Sequence, residues 1–114
     1  MYNTVLLIGR LTSDPEVITS DNSKKVSHIT LAVQRAYKNS DGIYEADFIR
    51  CTLWDGLASR ISEYCHKGDL ISIRGQLKTS IYEDNNVKKY STEVIVERLV
   101  FLSSKDKTDL DKDE

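Results

Sequence analysis

Phe48, Arg50, Thr52 and Trp54 recur at every second residue of Tyr44-Glu45-Ala46-Asp47-Phe48-Ile49-Arg50-Cys51-Thr52-Leu53-Trp54. A period of two belongs to an extended strand, so these four side chains share one face, while Ile49, Cys51 and Leu53 share the other. The second set is apolar and suits a core. The first sets two aromatic rings around a cation and a hydroxyl, a composition that fits flat, negatively charged ligands. Unpaired nucleic-acid bases are such ligands: each base offers a π-face to a ring, and each phosphate attracts Arg or Lys. A second sheet or a subunit interface would use the same side chains.

Covalent chemistry finds little support. Cys65 and His66 are sequence neighbours, and adjacent residues of a helix point in different directions, whereas a Cys-His dyad needs hydrogen-bond reach. His28 lies in a strand pattern with no acid pattern nearby. The two Cys and two His show no zinc-ligand spacing. No catalytic residue, metal or cofactor is therefore expected, and the chain is not read as an enzyme. Cys51 and Cys65 belong to no C-x-x-C pair and read as reduced thiols of a cytoplasmic protein.

The chain must position that bipartite strand within 114 residues, enough for one domain with one core. No apolar run approaches the roughly 20 residues of a membrane-spanning helix, and the first residues show no secretory pattern. Net charge is −2, but residues 103–114 hold five acids against three bases, which leaves thirteen of each sign in residues 1–102. Binding a polyanion would thus depend on where the bases sit, not on bulk charge. The composition shift after Leu102 predicts a folded domain over 1–102 and a short, charged, disordered tail over 103–114.

Strand patterns run over residues 3–12, with a bend or bulge at Gly9, and over 25–37, where a twist or bulge takes Arg35 and Tyr37 away from the core. Between them, residues 16–24 read as a polar loop. Asp41-Gly42 marks a hairpin turn into 44–54. Asp55 reads as a helix N-cap, Leu57, Ala58, Ile61, Tyr64 and Cys65 as the buried helical face, and Gly68 as the C′ residue. Residues 69–82 return to strand with Ile71, Ile73 and Leu77 on the apolar side and a sharp bend at Gly75. A last strand runs from Lys88 to Leu102. Five strands with one short helix between the third and fourth is the order of the oligonucleotide/oligosaccharide-binding (OB) barrel, an all-β fold whose second and third strands form the usual binding face.

Several segments in this order resemble bacterial single-stranded DNA-binding proteins over residues 1–102. They are Asn3-Thr4-Val5-Leu6-Leu7-Ile8-Gly9-Arg10-Leu11-Thr12-Ser13-Asp14-Pro15-Glu16, Ile29-Thr30-Leu31-Ala32-Val33, Asp47-Phe48-Ile49-Arg50-Cys51-Thr52-Leu53-Trp54, Tyr64-Cys65-His66-Lys67-Gly68, Arg74-Gly75-Gln76-Leu77 and Tyr90-Ser91-Thr92-Glu93-Val94. The resemblance implies an OB-fold homotetramer that wraps single-stranded DNA without sequence preference, protecting it in replication, recombination, repair or DNA uptake. It places stacking on Tyr37, Phe48, Trp54 and Tyr82, with tyrosine at two positions where the family commonly has tryptophan. Its basic positions fall on Arg50, Lys67 and Lys78, while Gly56, Ser80 and Ile81 stand where cations are often found. Arg10, Arg35, Lys38, Arg74, Lys88 and Lys89 complete the pool of possible phosphate contacts. Tyr44 and Tyr90 read as structural. Family members that recruit other enzymes end in a Gly/Gln/Pro-rich linker and an acidic tip closing on Pro-Phe. This sequence ends Asp113-Glu114, so tip-dependent protein partners are not expected, and the resemblance points to a short paralogue of DNA uptake and recombination or of a mobile element.

Overall fold

The apolar run near the start of the chain forms β1 (Val5–Leu11), with Gly9 and Leu11 buried and Leu6, Ile8 and Arg10 outside. A computed structural model describes residues 1–104. After β1 come β2 (Ile18–Thr19), β3 (Lys25–Lys38), β4 (Tyr44–Trp54), α1 (Asp55–Tyr64), β5 (Leu70–Asp84) and β6 (Val87–Ser103). The sheet order is β1-β5-β6-β4-β3-β2, and β1 also pairs with β3 through Arg10↔Ala32 and Leu11↔Leu31, closing five strands into a barrel. This is the expected OB architecture, with the helix between β4 and β5. The two-residue β2, which pairs Ile18 with Val26, lies within the stretch expected to be loop. The expected tail falls outside the described residues from position 105 onward; Ser103 still belongs to β6.

Two glycines let the barrel close. A Cβ on Gly9 would stand 2.7 Å from the Ala32 carbonyl oxygen, and one on Gly75 would overlap the Ile95 carbonyl oxygen. At Gly9 the finding is a close approach of β3, where β1 passes from β5 to β3, rather than a bulge in the strand. The core gathers Leu31, Leu53, Ile61, Ile71, Ile73 and Val94, each essentially inaccessible. Each such side chain contributes about 1.5–3 kcal/mol by leaving water.

α1 packs against β3, β4 and β6 and buries Ala58 and Ile61. Its ends differ from expectation. Asp55 is the first helical residue, at φ 51°, and the N-cap is Trp54 with no side-chain capping bond. Asp tolerates this left-handed conformation better than most residues, and its carboxylate still favours the positive end of the helix dipole. The helix stops at Cys65, whose N–H bonds the Ile61 carbonyl; Gly68, at φ 91°, instead makes the turn whose N–H reaches the Leu11 carbonyl. Tyr64, expected in the core, is exposed.

The β5–β6 hairpin outruns the barrel. The β5–β6 pairing continues to Asp84↔Val87, whereas β1 leaves β5 at Gly75 and β4 pairs with β6 only at Val94 and Ile95. Leu77 keeps the inward parity of Ile73 but is half-exposed, because at that level the barrel has ended.

Candidate nucleic-acid interface

Paired residues of neighbouring strands present side chains to one face. The pairs Val26↔Trp54, His28↔Thr52, Thr30↔Arg50, Ala32↔Phe48 and Gln34↔Ala46 therefore build one outer surface on β3 and β4. Phe48 is 68% exposed and Trp54 40%, with Arg50 between them. Small Ala32 and Ala46 leave the ring of Phe48 uncovered. Trp54 borders a shallow cleft with Ser20, Asp21, Asn22, Lys24 and Asp55.

Thr52, read from sequence as an open hydroxyl, is buried. Its Oγ1 donates to Glu93 Oε2 at 2.7 Å and lies 3.1 Å from His28 Nδ1. These bonds join β3, β4 and β6 across the outer surface, and they put an acid near His28 that no local pattern announces. The surface continues onto β5 through Lys78↔Glu93, Ser80↔Ser91 and Tyr82↔Lys89. Tyr82, 50% exposed, thus extends the same face along the projecting ribbon. Tyr37 is exposed within the bulge between Gln34 and Lys38, where the strand irregularity was expected. Tyr44 shares the parity of Phe48 and is itself exposed, with Lys38 Nζ 5.5 Å from its ring centroid. The period of two puts it in the same row. Tyr90 is exposed on the reverse side of the ribbon.

The cations divide. Arg50, Lys67 and Lys78 make no ion pair among the described residues. Lys67 lines a cleft with Thr12, Ser13, Asp14, Glu16 and His28 at the edge of the aromatic surface. Arg35 is turned to the reverse of the hairpin, where Nη2 meets Asp47 Oδ1 and Nη1 meets Glu45 Oε2, both at 2.8 Å. Hydrogen bonding and charge from Asp47 hold this guanidinium above its ordinary pKa, and Arg35 in turn holds the Asp47 carboxyl below the usual range. Arg10 Nη1 donates to the Gly68 carbonyl at 2.9 Å. Arg74 stands between Leu6 and Arg98 on the β1 side of the barrel. Lys89 pairs with Asp84 at 3.0 Å, and Lys88, opposite Glu83, lies on the other face of the ribbon.

Neither thiol is activated. Burial, with the Glu93 charge behind it, pushes Cys51 up to about 12, and burial followed by Asp69 raises Cys65. Among the described residues no three His, Cys, Asp or Glu side chains gather as metal ligands, and no helix is long and apolar enough to cross a membrane.

Phe48, Trp54 and the unpaired Arg50 thus share the β3–β4 face of an OB-type barrel. Residues 2–102 match the model of the single-strand binding protein family. The chain belongs to this family. Its similarity to "Single-stranded DNA-binding protein B" of Bacillus subtilis is 42% identity over 106 residues, covering 92% of this chain and 94% of that protein. "Single-stranded DNA-binding protein 2" of Streptococcus agalactiae is 44% identical over 105 residues, 80% of its own length. The "Single-stranded DNA-binding protein" of Bacillus cereus is 44% identical over 103 residues, 61% of its length. Both Phe48 and Trp54, and the unpaired Arg50, Lys67 and Lys78, lie within the stretch that the family model spans.

Proposed function

We propose that this protein binds single-stranded DNA without sequence preference and without catalysis. Bases stack on Phe48, Trp54, Tyr82 and Tyr37, with Tyr44 added to the row, and Arg50, Lys67 and Lys78 take the phosphates. Arg10, Lys38, Arg74, Lys88 and Lys89 are secondary phosphate contacts, each engaged elsewhere or off the main face; Arg35 is withheld by its own carboxylates. Stacking is worth about 1–3 kcal/mol per base and is indifferent to base identity. A duplex hides its base faces and is a poor ligand. The observation that carries the reading is the exposure of Phe48 and Trp54 beside an unpaired Arg50.

We further propose a homotetramer, supported by the exposed aliphatic side chains Leu6 and Ile8 on β1. A role in protecting unpaired DNA during replication, recombination, repair or uptake in the cytoplasm is part of the same proposal. The test is Trp54 fluorescence on adding poly-dT across a salt series. Strong quenching that weakens with salt supports the reading. No change at low salt overturns it and makes the aromatic face a protein-binding surface.

A further inference from the structure

Glu93 is out of place on an anion-binding face: it lies opposite Lys78 in the strand register and beside the row that carries Arg50. Its bonds explain its presence. A carboxylate only accepts, so the single proton of Thr52 Oγ1 goes to Glu93 Oε2 at 2.7 Å. Nδ1 of His28, 3.1 Å from Thr52 Oγ1, must then donate to that hydroxyl oxygen. The neutral ring is held as the Nδ1–H tautomer, and its other nitrogen, Nε2, is a bare acceptor on an exposed residue.

We propose that Glu93, acting through Thr52, positions His28 as a direct DNA contact whose Nε2 accepts a hydrogen bond from a base N–H. The inference rests on the DNA-binding reading above. The ring borders an open, polar cleft with Thr12, Ser13, Asp14, Glu16 and Lys67. Lys67 supplies a phosphate partner there, so base edge and backbone of one nucleotide have separate contacts. The charged groups around the ring are Asp14, Glu16 and Lys67 across the cleft, Glu93 behind Thr52, and Arg50 next along β4.

Two measurements test this. Nitrogen-15 NMR of the free protein at pH 8 is expected to show His28 mainly as the Nδ1–H tautomer, with Thr52→Val or Glu93→Ala returning it to Nε2–H. Affinity for a dT oligomer at pH 8 and one salt concentration is expected to fall about five-fold in His28→Leu, with circular dichroism unchanged. An Nε2–H ring in the wild type, or unchanged affinity in His28→Leu, overturns the inference while leaving DNA binding intact. No binding by the wild type overturns both the contact and the reading beneath it.

Discussion

The barrel exposes apolar side chains on two surfaces, and they differ in kind. On β3 and β4 the exposed groups are rings, Phe48 and Trp54, with cations between and beside them. On β1 they are aliphatic, Leu6 at 72% and Ile8 at 57%, joined through the Ser72 register by Val100 of β6. A ring has a face to stack on and an electrostatic pattern that suits flat, charged ligands that come and go. Leu and Ile offer only area, which is stabilised at about 25 cal/mol per Å² by permanent burial against a matching surface. On the proposed reading, the type of exposed residue, more than its amount, would separate a surface for exchange from a surface for assembly. Arg74 and Arg98 border the aliphatic surface, which explains why a cation pool drawn from sequence mixes the two.

The largest effect that would break this comparison is loss of assembly. Leu6→Glu with Ile8→Glu is expected to reduce the native mass to that of one 13.0 kDa chain, while Trp54 quenching by poly-dT at low salt survives; unchanged mass on light scattering would remove the aliphatic surface from the interface. Phe48→Ala should do the converse, weakening oligonucleotide binding by about 1–3 kcal/mol with mass and circular dichroism unchanged. Arg50→Ala sharpens the division among the cations: the slope of log affinity against log salt should fall by about 0.7 per site. Arg35→Ala should leave that slope almost unmoved, since its charge is already matched by Asp47 and Glu45; an equal fall in both variants would contradict the division.

The smallest effect concerns the core beneath the rings. The Cys51 thiol is held protonated, pushed from 9.0 to about 12. Its contribution to stability is full below the unfolded-state value and is lost as pH rises through the folded one. Between pH 8 and pH 10 the wild type should therefore lose about 1 kcal/mol more than Cys51→Val in urea unfolding. Equal losses would show that the thiol ionises as readily folded as unfolded.

Much of this was legible in the letters. A strict period of two at 44–54, Asp41-Gly42 and the helical spacing of Ala58 and Ile61 each report local geometry, and local geometry is what a linear pattern encodes. What escaped depended on partners far along the chain or on where the barrel ends. Thr52 is buried and donates a hydrogen bond to Glu93, forty-one positions away. Arg35 is neutralised by acids of the next strand. Leu77 has the parity of a core residue, yet parity says nothing of whether a neighbouring strand is still present to cover it. The two residues of β2 are too few for any periodicity to register.

The ribbon formed by the ends of β5 and β6 behaves as a cantilever. Past Leu77, where Asn3 ties its backbone by side-chain bonds to both N–H and carbonyl, the strands are hydrogen-bonded in register only to each other. A beam anchored at one end bends most cheaply at its root, so Tyr82 at the far end can swing through a wide arc for little local deformation. The Asn3 clip on β5 and the Thr52–Glu93 bond on β6 are both side-chain ties at that root, far from the ring they would steady.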